Sequence, residues 1–238
     1  MSRTLGHGQA AVAPEFLLTP DLLDAISPSS DHGGMVLGCG ADNEPLRVSV
    51  LRPQPIRLVL VGGLYLARQV ALRAVATGAW VVIATGRPAA WELLISAAGP
   101  EPDGRPTPLV QVRPLAPIEL PRGSEDAPLL VVHDGGAVPQ ELFPPRSPWQ
   151  TTLYVLPYLH PQATGTAINA DLVLLQRLPV EQAQLAAEIW QLAAPMTQQL
   201  SELTDDGVVA LGPNLWLPLR LVTTPGEREV LGPVRRGD

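Results

Sequence analysis

Between an apolar run and an amphipathic one stand Gly62-Gly63-Leu64-Tyr65-Leu66-Ala67-Arg68-Gln69, where a phosphate-binding loop would be expected. Glycines there let the backbone approach an anion, and the helix beyond them turns its unpaired N–H groups toward the charge. A working loop of this kind reads G-x-x-x-x-G-K-[ST], with lysine on the phosphates and a hydroxyl on magnesium. Counted from Gly62, this chain has Ala67, Arg68 and Gln69 at the last three positions, so every chemically demanding residue is changed. A glycine turn that packs a helix closely on its strand reads the same residues without any ligand. The dinucleotide pattern G-x-G-x-x-G is also absent. Where an acidic residue for the ribose is expected, the chain has Ala84-Thr85-Gly86-Arg87, of which Arg87 suits a phosphate.

A second candidate is Leu129-Leu130-Val131-Val132-His133-Asp134-Gly135-Gly136. It reads as an apolar strand with His133 and Asp134 just after it, where open α/β sheets bind ligands and where a carboxylate could hold magnesium. A polar turn with Asp134 capping neighbouring amides accounts for the same residues without a ligand, and no partner motif argues against it. His7, His32 and His160 have no ligand spacing to one another or to Cys39, so no metal site is expected. No G-x-S-x-G elbow is present, and Cys39 lies in a glycine-rich turn without a positioned histidine nearby in sequence. The expected catalytic residues and cofactors are therefore none. Trp149 and Gln150 follow a proline-rich loop and are the expected partner-binding pair, with Trp149 as the anchor.

Composition narrows the chemistry further. All 16 basic residues of the 238 are arginine, which excludes Schiff-base lysines, lysine general bases and the P-loop lysine together. Hydrolysis of ATP or GTP is accordingly not expected. A net charge of −7 offers no electrostatic footprint for nucleic acid or anionic lipid. One cysteine allows no internal disulfide, and no secretory leader pattern opens the chain, which predicts a cytoplasmic location. Arg57, Arg68 and Arg73 interrupt the longest apolar stretch, so direct membrane insertion is not expected.

The elements that must position these residues can be read from periodicity. Residues 1–30 read as a flexible segment with one short candidate helix near Leu22, Leu23 and Ile26. A hairpin is predicted across Met35–Gly38 and Leu46–Val50. Arg57–Val61, the Gly62-Gly63 turn, a helix over Leu64–Thr77 and a strand over Trp80–Ala84 make a βαβ unit with parallel strands. Pro88 opens a helix over Ala89–Ala98. Further strands are predicted at Leu109–Val112, Leu129–Val132, Thr151–Val155 and Leu172–Leu175, with an amphipathic helix over Pro179–Leu192. Val208–Leu211 and Leu215–Leu219 form a closing hairpin, and Thr224-Pro225-Gly226-Glu227 has the form of a capping box. The expectation is an α/β fold: one three-layer, Rossmann-like domain over 31–222 with a mostly parallel sheet and flanking β-hairpins, then a short helix and tail over 223–238.

Several short segments in order carry a resemblance: Leu51-Arg52-Pro53, Val61-Gly62-Gly63, Ala71-Leu72-Arg73-Ala74, Thr85-Gly86-Arg87-Pro88 and Trp91, then Pro148-Trp149-Gln150, Ala170 to Leu178, and Thr224 to Arg228. Over most of residues 35 to 231 the chain resembles the cytosolic region of EccE-type proteins of the actinobacterial type VII (ESX) secretion system. EccE-type proteins typically begin with transmembrane helices, which this sequence lacks. The resemblance implies a peripheral subunit of a translocon, held at the inner face of the membrane through protein subunits and carrying no established catalytic residues. The functional expectation is a non-enzymatic structural and interaction component of that machinery. The alternative is a Rossmann-like nucleotide-binding protein or enzyme that uses the Gly62-Gly63 turn.

Overall fold

A computed structural model describes residues 34–48, 50–99, 109–117, 119–140 and 146–233. The candidate helix near Leu22 and the tail after 233 lie outside the described residues. Among the described residues ten strands form one sheet in the order β2-β1-β10-β9-β8-β3-β7-β6-β4-β5. These are β1 (Met35–Cys39), β2 (Pro45–Val48), β3 (Ile56–Val61), β4 (Trp80–Thr85), β5 (Val110–Arg113), β6 (Leu129–Asp134), β7 (Gln150–Leu156), β8 (Leu172–Gln176), β9 (Gly207–Gly212) and β10 (Leu215–Leu221). The six strands from β8 to β5 run parallel. β9, β10, β1 and β2 extend that sheet as antiparallel neighbours.

The parallel strands are near-continuous apolar runs because helices cover both their faces. Alternation along β3 sorts the core: Leu58 and Leu60 face one helical layer, Val59 and Val61 the other. The first layer holds α1 (Leu64–Ala76), α2 (Glu92–Ala98) and α6 (Pro225–Leu231). There Leu66, Val70 and Ala74 of α1 and Leu94 of α2 pack with Val81, Ile83, Leu130 and Val132. On the other face lie α3 (Thr164–Ile168), α4 (Val180–Trp190) and α5 (Ala194–Glu202). Ala183 and Ala186 of α4 and Leu200 of α5 pack there with Val173, Leu175 and Leu211. The three-layer α/β architecture is the one expected from the sequence.

Local details differ in instructive ways. The helix expected over Pro179–Leu192 stops at Trp190, because Gln191 is left-handed at φ 53° and closes it. Pro195 then opens α5, which periodicity alone does not separate. β6 runs through His133 and Asp134, whose backbones pair with Ala84 and Thr85; both residues belong to the strand rather than to a turn after it. The capping box at Thr224 is complete, with the Thr224 hydroxyl accepting from Glu227 N–H and the Glu227 carboxylate accepting from Thr224 N–H. Among the described residues no helix is long and apolar enough to cross a membrane.

Candidate functional site

β3 is a central strand, so the turn after it emerges at the carboxyl edge of the parallel sheet, where ligands of open α/β folds bind. Gly62 turns the chain there with φ 146°, a conformation glycine adopts freely. Its N–H donates to Leu156 O at the end of β7 at 2.9 Å, which fixes the turn against the neighbouring strand. Gly63 is extended and serves as the N-cap of α1, without a side-chain cap of its own and with no acidic residue in the helix's first turn. The positive end of α1 is thus uncompensated by local sequence.

The group that meets this end comes from β8. The parallel register sets Val61 beside Leu175, so Gln176, the last residue of β8, falls next to Gly62. Gly63 N–H donates to Gln176 Oε1 at 2.6 Å in buried surroundings. The fit is close: a Cβ on Gly62 would collide with the Gln176 amide. Gln176 is 2% exposed, and its Nε2 is buried without a hydrogen-bond partner.

The second group lies across β7, at the ends of β4 and β6. Asp134 accepts from Thr85 Oγ1 at 2.8 Å, from Trp91 Nε1 at 3.0 Å, and from Arg87 Nε and Nη2, the latter at 2.9 Å. Trp91 is fully buried, whereas the Arg87 side chain is 42% exposed. Burial by itself pushes the Asp134 carboxyl up, but the bonds from Arg87, Trp91 and Thr85 outweigh it and hold the group below the usual carboxylate range. His133 stacks at a tilt on Tyr154 with centroids 5.4 Å apart, and burial lowers its pKa despite the opposing charge of Asp134. Thr85 and Trp91 complete this network, and no sequence motif marked them as partners of Asp134.

The seven residues singled out in the sequence therefore fall in three places. Gly62 and Gly63 meet Gln176 at the β3–β8 edge, with Arg68 further along α1. Arg87 and Asp134 pair with each other at the β4–β6 edge. Trp149 and Gln150 lie at the opposite, amino edge, where Trp149 O accepts from Leu129 N–H and Trp149 takes φ 57°. Gln150 is 4% exposed, its amide bonded to Ser147 and Thr152. A cleft of about 460 Å³ between α4 and α5, bordered by Val180, Leu192 and Thr197 among others, holds none of them. Among the described residues no cluster of His, Cys, Asp or Glu could hold a metal ion. Sequence reasoning missed Gln176; the available signal was a polar residue ending an otherwise apolar strand, as His133-Asp134 ends β6.

No family model matches the chain, and no curated protein matches it in sequence. Its fold is similar to that of VirB4 of Thermoanaerobacter pseudethanolicus, with a TM-score of 0.53 at 8% identity, over 83% of this chain and 99% of that one. The genome packaging NTPase B204 from Sulfolobus turreted icosahedral virus 2, solved in complex with AMP, aligns at a TM-score of 0.44 and 8% identity over 72% of this chain and 99% of that one; this likeness is too weak to carry weight. The likeness to VirB4 is one of fold, an α/β architecture built on a mostly parallel sheet. It overturns the expected reading of a non-enzymatic structural component, and the expectation that the chain is no enzyme falls with it. Neither the EccE resemblance nor the exclusion of nucleic acid gains support from these comparisons.

Proposed function

We propose that this chain is a nucleotide-binding protein that takes the phosphate group of its ligand at the Gly62-Gly63 turn and the amino end of α1. The observation that carries this reading is the state of that helix end. It opens at the carboxyl edge of a central parallel strand, has no cap from its own turn, and has its N-cap N–H held by a neutral amide oxygen where an anion's oxygen would sit. Arg87, partly exposed at the same edge of the sheet, adds positive charge on the far side of β7. Arg68 adds charge on α1 itself. Asp134 is the carboxylate placed for a cation, and it becomes available to one only when Arg87 releases it. The EccE resemblance and the VirB4-like fold together support a setting within a secretion-type assembly, beside its other protein subunits.

Isothermal titration with AMP, ADP, ATP and adenosine, with and without magnesium, tests the proposal. Binding of the phosphate-bearing ligands but not of adenosine is expected, weakened in Arg68→Ala. Absence of any heat with millimolar nucleotide, or equal binding of adenosine, overturns it.

A further inference from the structure

We propose that Gln176 is a displaceable stand-in for the phosphate, closing the Gly62-Gly63 turn in the free protein and leaving it when an anion binds. The inference rests on the nucleotide-binding reading above and adds the regulation of that site. Two independent observations meet at the same atoms. One is the amino end of α1, a helix of 13 residues whose N-cap is a glycine without a side-chain cap. The other is the Gln176 amide, almost wholly buried, aimed into the turn, and satisfied on only one of its two sides.

The chemistry of that amide is lopsided. Oε1 accepts from Gly63 N–H, so Nε2 and its two hydrogens point elsewhere and find no acceptor. A buried donor left unpaired costs free energy that an exposed one does not. A neutral amide oxygen also interacts with the helix end more weakly than a charged oxygen does. Both terms favour exchange: an incoming phosphate oxygen supplies the stronger acceptor, and the departing amide regains water or a ligand oxygen for Nε2. Space demands the same exchange, because the Gln176 side chain fills the volume beside Gly62 so tightly that not even a Cβ fits there. An anion can reach Gly63 N–H only by moving Gln176. The register of β8 on β3 delivers the plug, so its position is a property of the sheet rather than of a loop.

The test compares the full chain with Gln176→Ala and with Gln176→Asn, using inorganic pyrophosphate and AMP as probes in isothermal titration, with folding checked by circular dichroism. Removing the plug is expected to tighten binding of both probes by about tenfold, the factor that corresponds to one net buried hydrogen bond. Gln176→Asn, one methylene shorter and unable to reach as far, is expected to tighten binding less; it keeps the test open should the alanine variant not fold. Equal affinity in all three proteins overturns the plug and leaves the nucleotide reading standing. Weaker binding in Gln176→Ala overturns it too, and makes the amide a ligand contact instead. No binding of either probe in any of the three proteins overturns both.

Discussion

At the scale of single residues, Asp134 concentrates more consequence than any other position described. Its carboxylate is the shared acceptor for Thr85, Arg87 and the indole of Trp91, and removal leaves the buried Trp91 N–H without its acceptor. Asp134→Ala is therefore expected to cost about 3 kcal/mol in urea denaturation. Arg87→Ala should cost about 1 kcal/mol or less, since its guanidinium is partly solvated and Asp134 keeps its two neutral donors. Equal costs would show that the ion pair, not the buried indole, anchors this edge of the sheet. Half of this network was legible in the sequence: Arg87 and Asp134 each stood out as strand-end residues. Their pairing was not, because it depends on β4 and β6 being neighbours, and two strands in one sheet can be adjacent or far apart at the same sequence spacing. Gln176 escaped for the same reason, since nothing local to β8 says which turn its last residue will meet.

Among the elements, α1 is the one that links the strand-end turn to the rest of the fold. Tyr65, Gln69 and Arg73 recur every four residues and so form one polar stripe along it. Each holds the same returning segment: Tyr65 OH meets Thr223 Oγ1 at 3.1 Å, Gln69 Nε2 donates to Val222 O at 2.9 Å, and Arg73 donates to Val222 O, Val36 O and the Glu227 carboxylate. Arg73→Ala should release α6 before the sheet yields, costing about 2 kcal/mol. Hydrogen exchange read residue by residue would then accelerate over Pro225–Leu231 and stay unchanged in β3. Uniform acceleration would mean that α6 unfolds only with the whole domain. The βαβ unit, both hairpins and the capped last helix were readable beforehand, because each is written in a continuous run of pattern and turn residues. The division into α4 and α5 was not, since apolar residues continue through Leu192 and only the left-handed backbone at Gln191 breaks the helix.

For the molecule as a whole, acid is the condition that tells most. Burial lowers the His133 pKa from 6.5, so between that value and its folded one the unfolded chain binds more protons than the native one. Its contribution is present above pH 6.5 and is lost as pH falls through the folded value. Asp134, also lowered in the fold, acts in the same direction but only below its ordinary 3.8. Urea midpoints should therefore decline as pH falls below 6.5, and His133→Gln should flatten that decline; an unchanged slope in the variant would assign it to other groups. The strand order has a consequence of another kind, for the chain as it is made. β3 is completed early, yet its two sheet partners are β7, through Ile56 beside Thr151, and β8, through Leu58 beside Leu172. β1, first of the described strands, joins the sheet through β10, the last of them, at Gly38 and Leu221. At a synthesis rate of roughly 5–20 residues per second, this largely apolar strand waits on the order of ten seconds for a neighbour. Its hydrophobic face and edge stay uncovered for that interval, and slow refolding is the expected signature of its long-range pairings.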